Sequence, residues 1–197
     1  KVNGTAVYGI DVRPPGLKVA TLVQSPVFGG RVKSVDDAEA KAVKGVRQIV
    51  RLDDAVAVVA DHMGAAKKGL AALKIEWDDG PNAGLATADI ARELEQATLR
   101  SGPVAQNLGD ADKAMAGAAT KVEAIYQVPF LAHATMEPMN CTVHLRKDEC
   151  EIWIGNQAIA RVQAMAAKAA GLPAEKVIVH NHLIGGGFGR RLEADGA

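Results

Sequence analysis

The residues best suited to chemistry lie near the end of the 197-residue chain, in the stretch HLIGGGFGRRLEADGA from position 182 to 197. Three glycines, Gly185, Gly186 and Gly187, precede Phe188, Gly189, Arg190 and Arg191. Glycine admits positive φ and lets a backbone come close to a bulky group. Consecutive exposed N–H groups make an anion-binding concavity. The spacing is neither the G-x-G-x-x-G of a dinucleotide fold nor a Walker A loop, because no Gly-Lys-Ser/Thr follows. A tight corner without a ligand is the bland reading of the same run. A second candidate is Gly155-Asn156-Gln157, where Asn156 is suited to cap a helix. Gln157 would then present a neutral amide donor in the first exposed turn. A third is HATMEP, in which His133 and Glu137 share a polar neighbourhood. One His and one Glu are too few to ligate a metal, so a buried pair supporting the glycine loop is the expected role. His180 and His182 share a face of a strand but have nothing nearby to complete a metal site, and His62 and His144 are expected at the surface.

These groups need elements to hold them. The segments 17–25, 31–35, 46–52, 55–60 and 74–78 read as strands, and 36–43 and 61–73 as helices. Gly45 lies just past the first helix, where a C-cap is expected. Residues 79–109 read as a more polar connection carrying one helix, with Thr87 as its N-cap. The pattern restarts at 110 with a short helix, a strand over 121–129, and a strand pair around CTVHLRKDECEIWIG. A helix follows over 156–173, stopped by Gly171 and Pro173, and then a strand over 175–183 that delivers the chain to Gly185. The expected class is α+β, with domains at 1–78 and 110–197 joined by the 79–109 linker. In a hairpin turning at Lys147-Asp148, Cys150 faces Leu145 and Cys141 faces Ile154. No disulfide is therefore expected, and both thiols read as small buried hydrophobes.

Composition excludes several classes. Twenty-three basic residues balance 23 acidic ones, so the electrostatic footprint of a nucleic-acid binder is missing. Hydrophobic residues make up 48% but aromatics only 4%, so the core must be aliphatic. No apolar run approaches the roughly 18 residues of a membrane span. The chain opens on Lys1 with no signal-like apolar segment, and its interior-like start suggests a piece of a longer protein.

In order, SPVFGGRVKSVDD, HATMEPMNCTVH, IWIGNQ and KVIVHNHLIGGGFGRR resemble the molybdopterin-binding large subunit of the xanthine oxidase family. The branch is similar to isoquinoline 1-oxidoreductase β-subunits and membrane-associated aldehyde dehydrogenases. The resemblance implies an α/β-hammerhead-like domain over 1–78 and the first part of a molybdenum-cofactor-binding domain over 110–197. It implies hydroxylation of N-heterocyclic aromatics or aldehydes with water as the oxygen source. Gln157 matches the glutamine that hydrogen-bonds the apical oxo of the molybdenum. Gly186, Gly187, Phe188, Gly189 and Arg190 match the loop whose backbone nears the cofactor, with His133 and Glu137 behind it. No direct protein ligand to molybdenum is implied. The catalytic glutamate of the family would lie beyond this chain, so no catalytic residue is expected here and the chain alone is expected to be inactive.

The resemblance further implies molybdopterin in its cytosine dinucleotide form, a small partner subunit with 2Fe–2S clusters, a cytochrome subunit in some members, and a small-molecule substrate. It places the protein in the periplasm or on the periplasmic side of a membrane. Where xanthine oxidases have Gly-Lys-Glu after Phe-Gly, this chain has Arg190-Arg191-Leu192, with Glu193 one place late, so purine specificity is not supported. With half of its cage missing, the segment beyond Gly185 is expected to be loosely held. Two other readings stand beside this one: a non-catalytic assembly module that keeps the fold, and a phosphate-binding module using the glycine loop with Arg190 and Arg191.

Overall fold

The most apolar strand, AVAVVA, has neighbours on both edges, as such a sequence requires. In the computed structural model, which describes residues 2–195, this strand is β4 (Ala55–Ala60). It pairs antiparallel with β1 (Val19–Gln24) and β3 (Val46–Arg51) in the order β1-β4-β3. β2 (Arg31–Asp36) forms a separate antiparallel ribbon with β5 (Lys74–Asp78). Two short helices, α1 (Ala38–Ala42) and α2 (Met63–Ala71), accompany the three-stranded sheet. A Cβ on Gly69 would sit 2.7 Å from Val46 Cγ2 and 2.9 Å from Val58 Cγ1. Small residues therefore let α2 lie directly on the sheet, where Ala60, Ala65 and Ala66 are buried together. His62 begins α2, its Nδ1 accepting from Ala65 N at 3.2 Å. The Arg47 guanidinium and the Lys18 ammonium beside Asp61 hold its carboxyl well below the usual carboxylate range.

Two compact units divide the chain: Gly16–Glu123, and Lys1–Pro15 together with Ala124–Ala197. The division differs from the sequence boundaries at both ends of the first unit. The opening residues go with the second unit because Tyr8 bridges Leu183 in parallel. Residues 110–123 go with the first. Within Gly16–Glu123, α3 (Thr87–Thr98) is an amphipathic helix with no buried residue, and α4 (Ala111–Gly117) follows a capping Asp110 whose carboxylate accepts from Lys113 N. Ala86, not Thr87, is the N-cap of α3, because the Asp89 carboxylate reaches back to Ala86 N.

Residues 121–129 form no strand, contrary to their alternating pattern. Val122, Ile125, Tyr126 and Val128 are all exposed, and no other strand among the described residues pairs with the segment. Alternation supplies a face, but a strand also needs a hydrogen-bonding neighbour.

The second unit is a sheet in the order β6-β7-β8: β6 (Thr142–Leu145), β7 (Cys150–Ile154) and β8 (Val177–Asn181). β6 and β7 are the expected hairpin, with Leu145 opposite Cys150. β7 and β8 run parallel, joined through α5 (Ile159–Ala170). That helix is shorter than the 156–173 expected, because Asn156 and Gln157 are used in the turn before it. Gly171 ends it in the left-handed conformation, φ 66°. Cys150, Ile152 and Ile154 of β7 pack with Val162, Ala166 and Ala167 of α5, and with Val177 and Ala194.

Both cysteines are free. Burial beside this core pushes the Cys141 thiol up to about 12, with Cys150 adding to the effect. A raised acid favours its protonated form in the folded state. The stability it contributes is complete below the ordinary thiol value and lost as pH climbs toward 12. Alkylation of Cys141 by iodoacetamide at pH 8 is expected to be at least about tenfold slower in the folded protein than in urea. Equal rates would show that the thiol is not shielded.

Candidate functional site

Parallel pairing brings two loops to one edge. Ile154 at the end of β7 lies opposite Asn181 at the end of β8, and His182 N donates to Ile154 O at 2.9 Å. Both chains leave the sheet at their carboxyl ends, the edge where open α/β sheets bind ligands. One exit is Gly155-Asn156-Gln157 and the other Gly185–Gly189. They are pressed together: a Cβ on Gly155 would lie 2.7 Å from Ile184 Cγ2 and 2.9 Å from Leu183 O. Only glycine permits that approach.

Asn156 does not cap α5. Its Oδ1 accepts from Ala158 N at 2.7 Å and its Nδ2 donates to Glu193 O at 2.8 Å, so it ties the turn to the segment beyond the glycine loop. Gln157 N donates to Arg191 O at 2.9 Å, while the Gln157 side chain is exposed. Its Oε1 stands 3.2 Å from where a Cβ on Gly187 would be. The structure therefore sets the Gln157 amide against the glycine loop. The loop turns through Gly186 (φ 104°), Phe188 (φ 51°) and Gly189 (φ 93°). Phe188, a non-glycine in the left-handed region, carries backbone strain, and the residue is 79% exposed.

The polar support behind the loop is not the pair read from the sequence. His133 is exposed and lines an open cleft of about 380 Å³ with Thr135, Met139 and Arg190. Glu137 is buried, and its partner is Arg191, whose Nη2 donates to Glu137 Oε2 at 3.0 Å. Arg191 is 0% exposed. Its Nε donates to Gly186 O at 2.8 Å, its Nη1 to Gly155 O at 3.1 Å and its Nη2 to Glu137 O at 2.8 Å. Glu137 Oε1 accepts from Ile10 N and from Asn140 Nδ2, and Oε2 from Gly185 N at 2.8 Å. Glu137 N returns a bond to Gly185 O at 3.1 Å.

The segment beyond Gly185 is thus anchored, against the expectation of looseness, because a buried guanidinium needs every acceptor that fixes it. Asn140 was missed in the sequence, and Arg191 was read there as an anion-binding side chain and not as the buried partner of Glu137. Their partners lie far along the chain or on backbone, and an Arg-Arg pair reads locally as surface charge.

Arg190 is held differently, with both terminal nitrogens on the Asp195 carboxylate at 2.8 and 2.7 Å. Hydrogen bonding from Arg190 holds that carboxyl below its ordinary value. Both arginines of the phosphate-binding reading are therefore engaged internally. Among the described residues, no group of three His, Cys, Asp or Glu could hold a metal ion. His180 stacks on Trp153 at 5.0 Å and its Nε2 lies 3.1 Å from Glu151 Oε2, so it is occupied elsewhere.

Residues 93–195, more than half of the chain, match the family described as the molybdopterin cofactor-binding domain. The chain belongs to that family. Both exits of the parallel pair, Gly155–Gln157 and Gly185–Gly189, lie inside the matched part of this molybdopterin cofactor-binding domain. The chain is 35% identical to a membrane-bound aldehyde dehydrogenase (pyrroloquinoline-quinone) of Gluconacetobacter polyoxogenes, over 99% of its own length and 26% of the relative's. It is 32% identical to the β-subunit of isoquinoline 1-oxidoreductase of Brevundimonas diminuta, over 98% of its own length and 26% of that protein. It thus spans about a quarter of the curated relatives it matches. Its fold resembles quinoline 2-oxidoreductase of Pseudomonas putida 86, with TM-score 0.67 at 17% identity over 96% of this chain and 30% of that one. It also resembles the Cu,Mo-CO dehydrogenase, with TM-score 0.68 at 21% identity over 97% of this chain and 30% of that one. The fold, with strands and helices mixed, resembles the matched part of these molybdenum hydroxylase large-subunit structures. No helix among the described residues is long and apolar enough to cross a membrane.

Proposed function

We propose that this chain is one wall of the cofactor site in the large subunit of a molybdenum hydroxylase acting on aldehydes or N-heterocyclic aromatics. The observation that carries the reading is the convergence of the Gln157 amide and the Gly186–Gly189 backbone at the carboxyl edge of β7 and β8. Such a wall offers neutral donors and close backbone, which suits a bulky, multiply oxygenated group. The glycines fit it as well: a Cβ at Gly187 would meet the Gln157 side chain. Gln157 and the main chain of Gly186, Gly187, Phe188 and Gly189 would hold the group, with Arg190 at the edge of the cleft beside it. When bound, molybdopterin in its cytosine dinucleotide form supplies two-electron oxidation of a substrate carbon, with water as the oxygen source. Gln157 orients the group through its side-chain amide, and the exposed Phe188 ring offers an apolar wall to an aromatic substrate. Glu137 and Arg191 support the loop from behind, and His133 stands in the cleft.

The catalytic base and the rest of the cage belong to other parts of a longer subunit, so this chain alone is inactive. The first unit serves as the hammerhead-like domain. A small partner subunit would carry 2Fe–2S clusters, joined in some assemblies by a cytochrome subunit, to take up the electrons. The names of relatives support this setting: one is membrane-bound, and another is a β-subunit. A periplasmic or membrane-associated location is part of the same proposal, and the name of the membrane-bound relative supports its membrane half.

The test is the metal content of the full-length gene product, purified with whatever subunit accompanies it from a host that makes the cofactor. About one molybdenum per large subunit, with iron on a small partner, is the expected result. A quinone absorbance without molybdenum, as one relative's name suggests, would overturn the proposal. Gln157→Ala is then expected to weaken cofactor retention by about 1–3 kcal/mol, the cost of an unmet polar partner. Wild-type molybdenum content and turnover in that variant would remove Gln157 from the site.

A further inference from the structure

Two site loops meet at the edge of β7 and β8, and one buried ion pair touches both. We propose that Arg191 and Glu137 are positioning residues: a preformed latch that sets the Gln157 turn in register with the Gly186–Gly189 loop before any cofactor arrives. The latch itself is a property of the protein; its purpose rests on the reading of this loop as a cofactor wall.

Arg191 reaches three separate stretches at once. Its guanidinium bonds Gly186 O in the loop, Gly155 O in the turn, and both the main-chain oxygen and Oε2 of Glu137. Its own carbonyl takes the Gln157 N–H. A shift of the turn relative to the loop would break bonds at both ends of this one residue. Glu137 closes the other side. Its carboxylate gathers Gly185 N, Arg191 Nη2, Asn140 Nδ2 and Ile10 N, so the opening residues of the chain are caught in the same knot.

A buried ion pair is a poor way to gain stability, because desolvation offsets most of its attraction. Its better-attested use is to specify one arrangement among several. The backbone here needs such specification. Among the described residues, the two non-glycine residues with positive φ, Ala134 at 44° and Phe188 at 51°, each lie three positions before a latch residue. Strain of that kind persists only where the surroundings over-determine it. Of the glycines in the two site loops, Gly185 is clamped most tightly, since a Cβ there would lie 2.5 Å from Glu137 Cβ. The planar, five-donor fork of arginine meets this acceptor set, and the point charge of lysine does not.

The experiment compares Arg191→Lys and Glu137→Gln with wild type in the cofactor-free full-length protein, by amide hydrogen exchange resolved to Gln157 and Gly185. The latch predicts exchange at these two amides at least about tenfold faster in both variants, with the β7 and β8 amides unchanged. Molybdenum should then leave the loaded variants faster than wild type. Unchanged exchange at Gln157 and Gly185 would overturn the latch. So would a uniform rise that includes the sheet, since that marks general destabilisation. If Arg191→Lys does not fold, Glu137→Gln, which keeps size and shape, decides alone. Wild-type protein that takes up no molybdenum would sink the cofactor reading, while the exchange result would still judge the latch.

Discussion

Arg191→Met lowers the unfolding free energy of the unit that contains it by about 3–5 kcal/mol, the expected cost of breaking a buried pair from one side. The reason is what stays behind. Glu137 is 8% exposed and would keep a buried carboxylate without its cation. Gly186 O, Gly155 O and Glu137 O would each lose a donor. Methionine fills the volume of the aliphatic stem, so little of the loss comes from a cavity. The measurement is the urea midpoint followed by a probe in this unit, such as fluorescence of Trp153 on β7. The double variant Arg191→Met with Glu137→Leu is expected to recover part of the loss, because it removes the stranded charge. A single variant within about 0.5 kcal/mol of wild type would mean that the guanidinium is not buried as described.

Gly185→Ala and Gly187→Ala separate steric need from site chemistry. At Gly185 the added carbon would meet Glu137 Cβ at 2.5 Å and Glu137 N at 3.5 Å, atoms at or next to the backbone that cannot rotate away. The loop or the 135–140 segment has to move, at about 1–3 kcal/mol or more. At Gly187 the nearest atom is Gln157 Oε1 at 3.2 Å, the far end of an exposed side chain, so the fold absorbs the change. Gly187→Ala should therefore melt within a few degrees of wild type yet displace Gln157, and Gly187→Val should displace it further. Thermal melts and molybdenum content of the full-length variants check both halves. A Gly185→Ala protein as stable as wild type would refute the close approach. A Gly187→Val protein with full molybdenum and full turnover would refute the pairing of Gln157 with the loop.

Local order was readable where local chemistry decides it. AVAVVA reads as a strand, LRKDEC as a hairpin turn, and Gly171 as a helix stop, and each stands where expected. The 121–129 segment shows the limit of that reasoning. Its alternation is as good as that of β2, yet β2 has β5 beside it and 121–129 has no partner strand among the described residues. The site divides in the same way. Gln157 and the glycine loop were singled out as candidates by their unusual residue types, and the fold sets them side by side. His133 and Glu137 were paired because they are neighbours in sequence, but the true partner of Glu137 is Arg191, more than fifty positions away.

The sequence by itself determined the kinds of element, the aliphatic character of the core, the balance of charge and the ordered motifs that carry the family resemblance. These follow from side-chain periodicity, charge and glycine content, which act over a few residues. Tertiary structure alone decided that β7 and β8 run parallel, so that two distant loops leave the sheet together. It also decided that one of two adjacent arginines goes inside while the other pairs with Asp195 at the cleft. A buried charge is admissible only where acceptors converge on it, and here those acceptors come from Glu137, Gly155 and Gly186, which only the fold brings together.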